Sequence, residues 1–364
     1  MTVGTIPVMR PRLPGVDALR PYLEQIDESG WYSNFGPLER RLEARLADHF
    51  EVPGQSVACV ANCTAGLTLA LMALAEKRGG YCVMPSFTFV ASAHAVVAAG
   101  MSPLFVDVDA DSWSITTGQA AAAIEAADGP VAAVMVVSPF GAPVDTAAWD
   151  EFAETRGIPV VIDAAGGFDS LVAGNAPVVV SLHATKILPA GEGGCVVSRD
   201  TRLVRSISAR ANFGFFEERR ADVAGLNGKL SEYSAAVGLA SLDAWPKSRA
   251  ALMDLTALYR DAISSLGNIR VAPGFGDGWV GSTCNIAFDR PVADKATSNL
   301  SRAGIDSRQW WSKGCHREKA FEGYPRLDLP ITEALGQRVL GLPFHTGLDV
   351  ADIQRISDVV GAVE

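Results

Sequence analysis

Between about residues 55 and 200, short apolar runs alternate with stretches of helical character, and no other feature limits the possible folds of this chain so strongly. The candidate strands are Ser56–Val60, Tyr81–Met84, Pro103–Val108, Ala132–Val137, Pro159–Ile162, Val178–Leu182 and Cys195–Ser198. Several are rich in Val and apolar at consecutive positions, the pattern of strands covered on both faces. Between them lie candidate helices over Ala65–Lys77, Ser92–Ala99, Thr117–Ala127 and Thr146–Arg156. Strand–helix alternation of this kind predicts an α/β fold with a mainly parallel, doubly wound sheet, and places ligands at the carboxyl ends of its strands.

Ahead of the sheet, Pro37–Phe50 sets Leu38, Leu42, Leu46 and Phe50 four residues apart, predicting an amphipathic packing helix with its charges on the other face. Beyond about residue 240 a helix around Ser248–Leu266 leads into Gly- and Trp-rich segments, a strand near Cys284–Phe288 and a terminal helix over Val350–Val363. With 364 residues available, this reads as a large domain over 1–243 and a smaller α/β domain over 244–364.

The net charge of −10 argues against a general nucleic-acid or anionic-membrane surface, which needs clustered Lys and Arg. No run approaches the roughly eighteen apolar residues of a membrane span. Prolines stand in the N-terminal stretch where a secretory signal would be apolar, so a cytoplasmic protein is expected. The six cysteines, scattered without CxxC pairs, read as buried free thiols.

The chemistry lies in a pair. Asp163 ends the apolar run Pro159-Val-Val-Ile-Asp163, and Lys186 closes Ser181-Leu-His-Ala-Thr-Lys186 twenty-three residues later. Pyridoxal phosphate asks for this combination: a carboxylate to hold the protonated pyridine nitrogen and an amine to form a Schiff base with the aldehyde. A charge-assisted hydrogen bond of the first kind is worth roughly 1.5–3 kcal/mol. The phosphate needs donors at a helix start, and Asn62-Cys-Thr64-Ala65-Gly66-Leu67 offers a strand-to-helix turn with a hydroxyl and free amides. Ser181 adds a hydroxyl, Pro85-Ser-Phe-Thr-Phe89-Val-Ala-Ser92 brings two aromatics to a strand end, and Gly191-Glu192-Gly193-Gly194 permits a close turn after the lysine.

Six segments in order, WYSNFGP (31–37), NCTAGL (62–67), PSFTFVAS (85–92), VIDAAGG (161–167), SLHATK with GEGG (181–194) and GLNGKLSE (225–232), resemble the DegT-type nucleotide-sugar aminotransferases of fold type I. The resemblance covers nearly the whole chain. It implies pyridoxal 5'-phosphate as cofactor, Lys186 as the Schiff-base residue and Asp163 as partner of the pyridine nitrogen. It further implies phosphate contacts from Thr64, Ala65 and Ser181, and Phe89 stacked on the ring. Asn227 aligns with a residue that reaches the phosphate of a neighbouring subunit, implying a homodimer with shared sites. One position departs: the family commonly has Gln three residues after the Asp, where this chain has Gly166, so the cofactor is expected to be tuned differently. Lys186 argues against the family's dehydratase branch, which has histidine there.

Each residue also has a plainer role available to it. Asp163 and Thr64 are good helix N-caps, Phe89 a good core residue, Lys186 an ordinary surface lysine, and Cys63 either a reactive thiol at a helix end or a small space-filler. His183 lacks partners at metal-ligand spacing and reads as structural, and no metal site is expected. Arg308, Trp310, Trp311, Lys313 and His316 form the most unusual stretch of the second domain. They suit a nucleobase and a diphosphate, or else a patch between domains; His345 is a weaker candidate.

The resemblance implies ping-pong transfer from glutamate to a nucleotide-linked keto sugar, with dTDP-4-keto-6-deoxyglucose giving dTDP-4-amino-4,6-dideoxyglucose as the closest match. A C3 aminotransferase and a GDP-perosamine synthase are the alternatives within the family, and a non-catalytic PLP-binding regulatory protein the alternative outside it. An ordinary dinucleotide-binding fold would need a GxGxxG turn, which is missing.

Overall fold

The structure, a computed structural model, describes residues 5–75 and 79–363. Seven strands form the large sheet: β1 (Val57–Val60), β2 (Tyr81–Pro85), β3 (Ser102–Val106), β4 (Val131–Val137), β5 (Val160–Asp163), β6 (Val178–Ser181) and β7 (Gly194–Val197). Their spatial order is β1-β7-β6-β5-β4-β2-β3. Pairings from β6 through β5, β4 and β2 to β3 are parallel, while β7 runs antiparallel to both β1 and β6. The sheet is therefore mainly parallel, as the strand–helix alternation predicted.

Continuous apolar runs are explained by what covers them. Val161, Val179, Met84 and Met135 pack on one side against the helices Cys63–Leu74 and Val90–Ala98. Val160, Ile162, Val83 and Val134 pack on the other with Trp149 and Phe152 of the helix Thr146–Arg156. Adjacent residues of one strand thus serve opposite cores, and each fully buried side chain contributes roughly 1.5–3 kcal/mol. The helix Thr146–Arg156 keeps its expected limits because Asp145 caps its start and Gly157, at φ 63°, turns the chain out of it. The helix expected over Ala65–Lys77 instead begins at Cys63 and ends at Leu74; Lys77 lies outside the described residues.

Three further strands, β8 (Ile269–Val271), β9 (Cys284–Phe288) and β10 (Val339–Leu342), make a smaller antiparallel sheet in the order β10-β9-β8. A helix of 33 residues, Glu232–Ser264, connects the two sheets. The expected helix began around Ser248; the observed one starts from a Ser231 cap and runs through Pro246, a residue type that normally stops a helix. Its first half packs Leu239, Leu242 and Trp245 beside the large sheet, and its second half packs Leu255, Tyr259 and Ile263 beside the small one. The expected boundary at 243/244 falls inside this helix.

Two expectations are corrected. Glu39 and Glu43, assigned to the exposed face of the helix Pro37–His49, are buried with Leu38, Leu42 and Leu46. The N-terminal segment, assigned to the large domain, packs Ile6 into the small-sheet core. There the Ile6 amide donates to the Gly304 carbonyl (2.9 Å) and the Phe344 amide to the Val8 carbonyl (3.0 Å). That packing leads residues 9–12 past the carboxyl edge of the large sheet.

Candidate active site

Asp163 and Lys186 line one cavity of about 500 Å³ at the carboxyl ends of β4, β5 and β6. Asp163 is the last residue of β5 and is buried. The Ser92 hydroxyl donates to its Oδ2 (2.6 Å) and the Ala165 amide to its Oδ1 (3.1 Å), and Thr88 Oγ1 lies 2.9 Å from Ser92 Oγ. Burial raises the carboxyl above the ordinary aspartate range, against the pull of Ser92, the Ala165 amide and the Lys186 charge. Asp163 is therefore not a helix cap.

Lys186 sits in the loop between β6 and β7. Its amide donates to the His183 carbonyl (2.8 Å), and the loop is closed by Ala184 donating to Gly191 (2.8 Å) and Leu182 to Gly193 (2.9 Å). Burial lowers the amine below the ordinary lysine range, opposed by Cys63 and Asp163. It is thus not a solvated surface lysine. His183, expected to be structural, lines the same cavity, with its Nδ1 2.9 Å from Thr185 Oγ1 and its Nε2 3.5 Å from Glu192 Oε1.

The helix Cys63–Leu74 aims its start at the same cavity, with Asn62, Cys63 and Thr64 on the wall. Asn62, not Thr64, is the cap: its Oδ1 accepts from the Ala65 amide at 2.8 Å. Ala65 thereby spends its N–H on capping, while the amides of Cys63 and Thr64 belong to the first turn, where a helix supplies no internal acceptor. Gly194 makes this approach possible, because a Cβ there would stand 2.8 Å from the Cys63 nitrogen. Ser181 ends β6 on the cavity wall. Burial holds the Cys63 thiol well above its usual range, which disfavours the reactive thiolate at that helix end.

Phe89 lies on the wall with 56% of its surface exposed, so it is not a core residue; Phe87 takes that place. Gly166 faces the turn Phe140–Gly141, whose backbone lies 3.2 Å from where a Cβ on Gly166 would be. A longer side chain at position 166 would displace that turn. The turn holds Phe140 at φ 56° and stacks its ring on Trp311, centroids 4.0 Å apart and planes at 16°. Neither Ser92 nor Phe140 carried a signal in the sequence beyond lying close to an expected strand end.

The Trp-rich stretch divides. Arg308, Trp310 and Trp311 reach the cavity, with the Arg308 guanidinium 5.2 Å from the Trp310 ring centroid. Lys313 and His316 do not. Lys313 is exposed, 3.8 Å from Asp294, and His316 is buried with its Nδ1 2.7 Å from Ser86 Oγ. The stretch is irregular, so no period told its cavity-facing side chains from the rest. Asn227 is exposed and away from the cavity, accepting from Lys229 Nζ at 2.8 Å. All six cysteines are free and buried, and among the described residues no helix is long and apolar enough to cross a membrane.

Comparison with known proteins places these features. The sequence pattern of the DegT/DnrJ/EryC1/StrS aminotransferase family matches residues 16–361. Protein Rv3402c of Mycobacterium tuberculosis is 34% identical, across 100% of this chain and 91% of that protein. The dTDP-4-amino-4,6-dideoxy-D-glucose transaminase of Escherichia coli is 28% identical over 99% of both, and the GDP-perosamine synthase of Caulobacter vibrioides 29% over 96% of both. The crystal structure of DesI with its TDP-sugar product superposes with a TM-score of 0.86 at 32% identity, over 99% of this chain and 93% of that one.

Proposed function

The chain belongs to the DegT/DnrJ/EryC1/StrS aminotransferase family, sugar transaminases that depend on pyridoxal phosphate, and from that premise we propose that it moves the amino group of L-glutamate to C4 of dTDP-4-keto-6-deoxy-D-glucose. The product is dTDP-4-amino-4,6-dideoxy-D-glucose. The observation that carries the proposal is a buried carboxylate, held by Ser92 and the Ala165 amide, and the half-buried Lys186 facing one cavity at the ends of the parallel strands.

The residues present fit the cofactor. Asp163 would hold the ring nitrogen, the first-turn amides of Cys63 and Thr64 with the Ser181 hydroxyl would hold the phosphate, and Phe89 offers an exposed ring face. Pyridoxal phosphate, when bound, supplies an electron sink and the aldehyde that carries the amino group between substrates. Ser92 and the Ala165 amide fix Asp163 so that its charge stays aimed at one place. Burial lowers the Lys186 amine below the ordinary lysine range, favouring the neutral form that takes up and returns a proton at Nζ. Trp311, stacked on Phe140, walls the side facing the small sheet. The exposed aromatics Trp31, Tyr32, Phe213 and Tyr233, on the same segments as Asn227 or adjoining them, support a homodimer in which Asn227 serves the neighbouring site.

Similarity to a GDP-perosamine synthase at the same level of identity favours a second reading, in which the keto sugar is GDP-linked. One experiment separates the two. The cofactor absorbance of the loaded protein is followed on adding glutamate, then on adding dTDP- or GDP-linked keto sugars with mass and NMR detection of product. The expected result is a spectral change with glutamate, reversal by the dTDP-4-keto sugar, a C4 amine as product, and no lysine-linked cofactor, by borohydride reduction and mass detection, in Lys186→Ala. Amination of the GDP sugar alone selects the second reading, and amination at C3 rejects both.

A further inference from the structure

Phe140 lines the cavity from a left-handed backbone, φ 56° and ψ 19°, although it carries a full side chain. Such a conformation persists only where its surroundings hold it. The Ser138 amide donates to the Asp163 carbonyl (2.9 Å) and the Ser138 hydroxyl to the Ala142 carbonyl (2.6 Å), which fixes both ends of the turn. On one side lies the loop after β5, whose Ser170 hydroxyl donates to the Gly141 carbonyl at 2.6 Å. On the other lies the segment leading into β9, where a Cβ on Gly281 would stand 3.1 Å from the Phe140 carbonyl oxygen. A Cβ on Gly141 would stand 2.5 Å from the Gly166 oxygen and 3.3 Å from the Trp279 ring. The turn is thus wedged backbone against backbone, with glycine at each meeting point.

Neither neighbour is helix or strand where it meets the turn, and an ion pair ties the two together. Asp169, in the loop after β5, has a side chain only 6% exposed. Its Oδ1 and Oδ2 both accept from Arg249 Nε, at 2.8 and 3.0 Å, and Oδ2 also accepts from the Val280 amide at 3.0 Å. Arg249 Nη2 in turn donates to the Gly278 carbonyl at 2.7 Å. Because Arg249 belongs to the helix Glu232–Ser264, the pair anchors both irregular segments to one long rigid element. A charge-assisted pair with a desolvated carboxylate and further backbone bonds fixes geometry in a way that an exposed pair does not. Neither Asp169 nor Arg249 lines the cavity, so no step of the chemistry uses them directly.

We propose that Asp169, clamped by Arg249, is a positioning residue for the sugar side of the cavity: it sets the spacing between the Phe140 turn and the segment carrying Ser282 and Thr283, and thereby the fit of the keto-sugar ring. The assignment rests on the sugar-aminotransferase reading and adds a residue outside the cavity that governs one of its walls. Phe140, stacked on Trp311, and the hydroxyls of Ser282 and Thr283 all line that wall. Ring faces beside hydroxyls suit a pyranose, which offers C–H groups on its faces and polar groups around its edge. Asp163 and Lys186 are held by other bonds, from Ser92 and the Ala165 amide and within the loop between β6 and β7. Loosening the clamp therefore moves the sugar wall and leaves the pair that serves the cofactor in place.

The test compares cofactor-loaded wild type with Arg249→Ala, Asp169→Asn and Arg249→Lys. The absorbance change with glutamate alone is timed first, then its reversal over a range of dTDP-linked keto-sugar concentrations, and near-UV circular dichroism reads the Phe140–Trp311 stack. In Arg249→Ala and Asp169→Asn the KM for the keto sugar is expected to rise about five- to tenfold, with the glutamate rate within about twofold of wild type and a weakened near-UV band. Arg249→Lys keeps a charge for Asp169 and should rise only about two- to threefold. An unchanged KM in the folded variants overturns the proposal, as does an equal loss in both half-reactions or a Lys variant no better than the Ala one. If Arg249→Ala and Asp169→Asn do not fold, a wild-type KM in Arg249→Lys overturns it by making the pair a folding element alone. A wild type that reacts with glutamate but with no nucleotide-linked keto sugar sinks the parent reading instead, and an unaltered near-UV band in folded variants would still overturn the clamp.

Discussion

Asp163 and Glu39 are both buried carboxylates that burial pushes above the ordinary range, Glu39 to about 8. Asp163 accepts from Ser92 and Ala165, feels the Lys186 charge and borders a cavity. Glu39 is 0% exposed, and its Oε2 accepts from the Phe35 amide (2.9 Å) while its Oε1 has no partner. Its neighbours Glu43 and Glu232 are also acidic, and it does not border the cavity at Lys186. A perturbed carboxyl is thus not a site by itself. What separates the two is an opposing amine and room for a ligand between them.

That distinction is broken most directly at Asp163. Asp163→Asn keeps the shape and removes the charge, and kcat is expected to fall on the order of 10²–10³-fold. Steady-state transamination with cofactor saturating measures it, and near-wild-type turnover would reduce Asp163 to a packing role. A smaller effect is expected at Ser92→Ala, which deletes the hydroxyl that lowers the Asp163 pKa. With it gone the carboxyl rises further, so the acid limb of the kcat profile moves to higher pH and kcat falls about tenfold. An unmoved acid limb would show that Ser92 does not act through Asp163.

How much of this was readable beforehand follows the same physics. The strands of the large sheet were legible because both faces are covered, leaving no polar residue to interrupt Val160–Ile162 or Val178–Val180. Asp163 was legible because it ends such a run, and Lys186 because an amine beyond the next strand completes the pair that pyridoxal phosphate asks for. Ser92 was not, since a serine inside a small-residue helix has no distinguishing spacing. Arg10 and Arg12 were silent too. They stand among prolines in an irregular segment, and only the packing of Ile6 and Val8 on the small-sheet body leads them to Lys186. The run from Arg308 to His316 misled for the related reason that an irregular backbone assigns no face, so that Lys313 and His316 looked equivalent to Arg308.

Glu39 supplies the opposite test, with the smallest expected effect on activity. Its pKa is raised by burial first and by Glu43 next, so the folded state keeps a proton that the unfolded state has released. Stability from this group is fully present below its ordinary value of 4.5 and is lost progressively as pH rises toward about 8, above which both states are ionised. Each pH unit in that window is worth up to about 1.4 kcal/mol. Glu39→Gln has no proton to release, so its midpoint of thermal unfolding should exceed that of the wild type at pH 8 and converge with it near pH 4.5. Transamination should change less than about twofold. Thermal melts across this range, run beside turnover at pH 8, check both halves. A large loss of turnover in a well-folded variant would mean that the buried acidic cluster of Glu39, Glu43 and Glu232 communicates with Asp163, and the line drawn between the two carboxylates would have to be abandoned.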